Sequence, residues 1–150
     1  MFDAIVEAAV AESPLWAESV RPGDEQLRDA VFSSLAPAGH AVGLETIYEG
    51  YLVHYGRSRL FAPPDADTAL LLGDYLYAHG LVRVAETGDV EAVADLADLI
   101  SRCARLRAEG LGGDGEEWAA TSSSLGQLPA PTPDAGAVER ALAAHARLVG

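Results

Sequence analysis

The stretch Ala66-Asp67-Thr68-Ala69-Leu70-Leu71-Leu72-Gly73-Asp74-Tyr75-Leu76-Tyr77-Ala78-His79-Gly80-Leu81-Val82-Arg83-Val84-Ala85 decides the fold. It holds no apolar/polar alternation of the kind a half-buried strand needs, and its leucines and alanines favour helix. Leu70, Leu71, Leu72, Tyr75, Leu76, Tyr77, Leu81, Val82 and Val84 leave it apolar almost all round. That pattern predicts a central, buried helix. Gly73, Asp74, His79 and Arg83 interrupt it, so it falls short of the ~20 apolar residues that cross a bilayer. Glu86-Thr87-Gly88-Asp89 follows, with Gly88 suited to close one helix and Asp89 suited to cap the next. From Asp89 to Glu109, Val90, Val93, Leu96, Ala97, Ile100, Cys103 and Ala104 recur at helical spacing, while Glu91, Asp95, Asp98, Arg102 and Arg105 face elsewhere. The two segments are expected to pair as a tight antiparallel hairpin.

Working outward, the same reasoning places helices at about 2–12, 14–20, 24–35, 40–55, 66–86, 89–109 and 134–148, with Pro14, Pro22, Pro37, Pro63 and Pro64 between them. The fold class read here is all-α, a bundle of six to seven helices. Residues 1–110 form the bundle. Residues 111–133 read as a flexible Gly/Ser/Pro linker, from Leu111-Gly112-Gly113-Asp114-Gly115 to Pro129-Ala130-Pro131-Thr132-Pro133, with room for one helical turn around Trp118. Residues 134–150 form a C-terminal docking helix. No internal repeat is present.

The 150 residues suffice for one domain with its own core. All ten basic residues are arginines, and lysine and asparagine are absent. Without lysine there is no Schiff base, no Walker-type phosphate lysine and no lysine general base. The net charge of −13 repels phosphate backbones, so no nucleic-acid partner is expected. No segment suits stable membrane insertion. The N-terminus lacks a basic region and carries Asp3 and Glu7, so a cytoplasmic location is expected. The single Cys103 excludes an internal disulfide and lies on an apolar helical stripe, as an inert core residue would.

Several residues carry possible chemistry. Glu45 and Glu49 share a helix face, which predicts a solvated acidic stripe. Together with His54 and Asp74 they offer a metal-site alternative, although the Glu-x-x-His pairs of di-iron bundles are missing. Asp74 is an acid within an apolar helix. Its burial calls for a partner among Arg57, Arg59 or a tyrosine hydroxyl, and Asp74→Ala should then cost about 2–3 kcal/mol. Arg57-Ser58-Arg59 follows a helix end, where a loop can present it to a phosphate or compensate the helix dipole. Tyr48, Tyr51 and Tyr55 line one helix face, as core, interface or the wall of an elongated apolar pocket. His79 is expected as a hydrogen-bonded residue inside the bundle.

Leu70-Leu71-Leu72-Gly73-Asp74-Tyr75-Leu76-Tyr77-Ala78 resembles the Gly-Asp helix of trans-isoprenyl diphosphate synthases. The turn Glu86-Thr87-Gly88-Asp89 and the helix to Arg107 extend the similarity, which covers residues 48–109. It is closest to the non-catalytic component I, the small subunit of heterodimeric heptaprenyl and polyprenyl diphosphate synthases. Catalytic members follow Leu-Val-His with an Asp-Asp-x-x-Asp motif that binds Mg²⁺. Here Leu52-Val53-His54 is followed by Tyr55-Gly56-Arg57-Ser58-Arg59, and the family's substrate lysine has no counterpart.

The resemblance therefore implies no catalytic residue and no metal ligand in this chain. It implies a regulatory subunit that completes or shapes the elongation pocket of a catalytic prenyl synthase partner. Substrate contacts would come from Tyr51, His54, Arg57, Arg59, Asp74 and Tyr75. No cofactor is expected on this chain alone, with Mg²⁺ held in the complex by the partner. The alternative is a stand-alone acidic helical interaction module, and a homo-oligomer is open in either case.

Overall fold

The computed structural model describes residues 1–127 and 129–150. Seven α-helices run in chain order through the described residues: α1 Phe2–Glu12, α2 Pro14–Ser19, α3 Ala41–Tyr55, α4 Ala66–Ala85, α5 Val90–Ala108, α6 Asp114–Ser124 and α7 Ala135–Val149. The all-α bundle read from the sequence is the fold observed. Side-chain caps start four of the helices. Ser13, Asp65, Asp89 and Asp134 each accept from backbone N–H groups of the first turn that follows. Gly88 closes α4 at φ 81°, the left-handed conformation that glycine adopts at least cost.

α3 and α4 form the central pair, and glycines set how closely they approach. Gly43 and Gly50 on α3 face Gly80 and Gly73 on α4 in antiparallel register. A Cβ on Gly50 would stand 2.9 Å from the Gly73 carbonyl oxygen, and one on Gly80 would stand 2.8 Å from that of Gly43. Each of these glycine pairs is seven residues apart, two helical turns, so all four fall on the shared seam.

Two apolar clusters flank this pair. The larger gathers α3, α5, α6 and α7 around Leu44, Ile47, Tyr48, Tyr51, Leu96, Leu99, Cys103 and Trp118. The smaller packs α1 and α2 against Leu60, Phe61, Leu72 and Leu76. The segment after α3 is stitched to the chain ahead of it. Arg21 N–H donates to the Leu60 carbonyl at 2.8 Å, and Ala62 N–H donates to that of Ser19 at 2.6 Å.

Three expectations are corrected. The helix at 24–35 does not form. Two short 3₁₀ turns, Gly23–Glu25 and Ser33–Leu35, stand there instead. The reason is competition for backbone donors: Leu27 N–H goes to the Arg59 carbonyl, and Val31 and Ser33 N–H go to the Glu45 carboxylate. Groups bonded to distant parts of the chain cannot close helical turns.

The second correction concerns the linker. Residues 114–124 fold as α6, which carries Trp118 into the core at 1% exposure. Trp118 stacks on Phe32 and meets Tyr48 and Tyr51 edge-on, with centroid separations of 5.0–5.6 Å. Aromatic contacts of this kind outweigh the weak helix propensity of the Ser-rich segment. Leu128, also in the expected linker, lies outside the described residues.

The third correction concerns α4, which is central in sequence but only half covered. Leu72, Gly73, Leu76, Gly80 and Val84 are buried, while Leu70 and Leu71 are each 56% exposed and Val82 is 52% exposed. α7 lies against the bundle. It buries Ala141 and His145 on the bundle, and its Leu148 carbonyl accepts from Arg57 N–H at 2.7 Å.

Candidate functional site

The polar residues singled out in the sequence separate into three groups. The first lies beneath α3. Glu45 and Glu49, expected in solvent, are fully buried around the equally buried Arg59. Arg59 Nη2 lies 2.8 Å from Glu45 Oε2, and Arg59 Nε donates to Glu49 Oε2 at 2.9 Å. Glu45 Oε1 accepts from Val31 and Ser33 N–H. Glu49 Oε1 accepts from Leu60 N–H and from the Ser58 hydroxyl. Arg59 Nη1 donates to the Asp29 carbonyl, and the guanidinium lies over the Phe2 and Tyr48 rings. Two carboxylates on adjacent turns of α3 thus bind the loop before α3 and the loop after it. Burial opposes the charge on Arg59, but the two carboxylates outweigh it and raise its pKa. The guanidinium takes the place a metal ion would hold between such a pair. Among the described residues, no three His, Cys, Asp or Glu side chains form a group able to hold a metal.

The second group joins α3, α5, α6 and α7. Asp114 Oδ2 accepts from the Tyr51 hydroxyl at 2.5 Å and from Arg107 Nη2 at 2.7 Å. It also lies 3.0 Å from His145 Nε2. His145 Nδ1 is 2.8 Å from the Tyr48 hydroxyl. Burial pushes the Asp114 carboxyl up, but donation from Tyr51 and Arg107 and the neighbouring His145 bring it down to about 2. Burial lowers the His145 pKa against the pull of Asp114, and burial raises both tyrosines. Tyr51 is therefore committed to this internal network. Cys103 sits in the same core with its thiol pushed up by burial to about 12, which keeps it unreactive.

The third group lies between α3 and α4. His54 Nε2 is 3.2 Å from Asp74 Oδ1, and the ring rests on Gly73, where any Cβ would collide with it. Asp74 is not buried: its side chain is 65% exposed. The carboxylate therefore reaches water and needs no buried cation. Next to it, Tyr77, Ala78, Leu81, Ala97 and Ile100 line an open groove between α4 and α5. Tyr75 points the other way, with its hydroxyl donating to the Ala8 carbonyl at 3.3 Å and its ring stacked on Trp16. His79 stacks on Tyr75, and its buried Nε2 has no hydrogen-bond partner among the described residues. That differs from the hydrogen-bonded role expected for it.

No protein-family model matches the chain, and no curated protein or solved structure matches it either.

The six expected substrate contacts thus occupy different places. Arg59 and Tyr51 lie in separate buried networks, His54 and Asp74 pair on the α3–α4 seam, and Tyr75 packs beneath α1. Asp74 is exposed at the edge of the α4–α5 groove, and Arg57 is exposed at the mouth of a separate cleft. The sequence reading did not single out Asp114 or His145 as site residues; Arg107, expected to pair with one of the chain's acids, does so with Asp114. Trp118 was the available signal, since an aromatic of that size rarely stays in a linker.

Proposed function

We propose that this chain is a non-catalytic binding subunit that docks its α4–α5 face onto a helical protein whose apolar strip is edged by arginine or lysine. The observation that carries this reading is the outer side of α4. Leu71, Ala78, Val82 and Ala85 fall on one helical stripe and are all exposed, beside the apolar groove formed with α5. Exposed apolar side chains that gather on one face in this way mark a surface for a partner. Exposed Asp67, Asp74, Glu86, Glu91 and Asp98 surround it in a chain of net charge −13. That field favours a basic rim on the partner and disfavours an acidic one.

The resemblance of residues 48–109 to component I of heterodimeric prenyl diphosphate synthases supplies the first partner to test, a catalytic trans-polyprenyl diphosphate synthase. In that setting the partner would hold the Mg²⁺ and carry the chemistry, and this chain would shape the complex from outside. Within this chain, Gly73 and Asp74 have a local task as well, since they seat and pair His54.

The test is co-expression with such a synthase from the same host, followed by size-exclusion chromatography with light scattering. A stoichiometric complex is expected with the native chain. It should be lost in the double variant Leu71→Asp/Val82→Asp, whose helical circular dichroism should match the native chain. A variant that co-elutes like the native chain would remove the α4 face from the proposal. Failure of the native chain to co-elute with an active synthase would remove the prenyl synthase partner and favour the stand-alone interaction module.

A further inference from the structure

A second cleft shares no lining residue with the α4–α5 groove. It has a volume of about 260 Å³ and lies between the last turns of α7, the loop before α3 and the loop after it. Three of the chain's ten arginines border it: Arg57, Arg59 and Arg147. Arg59 is already neutralised by Glu45 and Glu49. Arg57 and Arg147 are different. Both are exposed, and neither has a carboxylate within ion-pair distance among the described residues. In a chain with 23 acidic residues, two guanidinium groups on one cleft with no carboxylate within ion-pair distance among the described residues stand out from the overall charge. The backbones that carry them are tied together, because Arg57 N–H donates to the Leu148 carbonyl and so joins the loop to α7.

We infer that this cleft binds a small organic carboxylate, held by Arg57 and Arg147, with its apolar portion along Leu27, Val31 and Leu148. The charge count disfavours a dianion. Asp29 also borders the cleft, and the Glu45–Glu49–Arg59 group beneath it carries one carboxylate more than it has cations. A dianion would meet that negative background, whereas one carboxylate matches the guanidinium pair and can accept parallel hydrogen bonds from it. The walls contribute the apolar half of the recognition, as small-ligand sites commonly do.

The experiment is calorimetric titration of the full-length chain with hexanoate, with hexanol as the uncharged control and inorganic phosphate as the dianionic one. Saturable millimolar binding is expected for hexanoate, with little for hexanol or phosphate. Arg57→Gln and Arg147→Gln should each weaken hexanoate binding by about tenfold, the loss of a charge-assisted contact. Both side chains are exposed, so the variants should unfold at the native urea midpoint. Hexanoate binding that is absent, or unchanged in both variants, would overturn the proposal. Phosphate binding tighter than hexanoate would overturn the assigned ligand class.

Discussion

α3 and α4 are neighbours packed along a glycine seam, yet they treat their acidic residues in opposite ways. Glu45 and Glu49 on α3 are sealed from water, and Asp74 on α4 stands in it. The helices do not differ much in their own apolar content. They differ in what folds over them. α3 is wrapped by the loops before and after it and by α6 and α7, whereas α4 is covered on one side only. Burial is therefore a property of the covering elements, and a polar residue survives beneath them when those elements bring its partner.

That difference can be broken most severely at Arg59. Arg59→Ala leaves two carboxylates buried without a cation, and urea denaturation should show a loss of about 3–5 kcal/mol. Next in size is Asp114, which ties α6 and α7 to the sealed side of α3. Asp114→Asn should lower stability by about 2–3 kcal/mol near neutral pH, the scale of charge-assisted hydrogen bonds. Its folded pKa of about 2 lies below the ordinary 3.8. The stability it supplies is thus complete above the ordinary value and is lost as pH falls toward the folded one. Acid titration of unfolding should show that loss in the native chain and a weaker pH dependence in the variant.

The seam comes third. A Cβ at position 80 would press on Ile47 and on the Gly43 carbonyl, so Gly80→Ala should cost about 1–3 kcal/mol by overpacking. Gly39→Ala has open space and should leave the thermal midpoint nearly unchanged. The smallest effect belongs to the outer side of α4. Leu71→Asp should change stability by no more than about 0.5 kcal/mol, because the side chain is already in water. Its effect should appear in partner binding instead.

The sequence made the helical punctuation legible. Gly88 and Asp89 mark the α4–α5 turn as read, and Asp134 caps α7. It did not reveal which acids are covered. The shared partner of Glu45 and Glu49 comes from a loop after the helix; the other donors to Glu45 are Val31 and Ser33 before it, and those to Glu49 are Ser58 and Leu60 after it. Helical periodicity holds no trace of those connections. Asp74 misled for the converse reason. An apolar helix is buried only where neighbours cover it, and nothing in its own pattern states whether a neighbour lies over each face. One signal was present and unread: Gly43/Gly50 and Gly73/Gly80, each pair two turns apart, mark the faces where α3 and α4 meet.

The same distinction revises the expected cost at Asp74. With the Asp74 side chain largely in water and His54 its one ion-pair partner among the described residues, the pair is a surface contact worth about 0–1 kcal/mol. The most direct test is a matched urea unfolding of Glu49→Gln and Asp74→Asn, two substitutions that remove one charge and keep the shape. A loss of about 2–3 kcal/mol is expected for Glu49→Gln, which weakens three charge-assisted contacts, and under about 1 kcal/mol for Asp74→Asn. Equal losses, or a larger one at Asp74, would contradict the division between a sealed inner side and an open outer face.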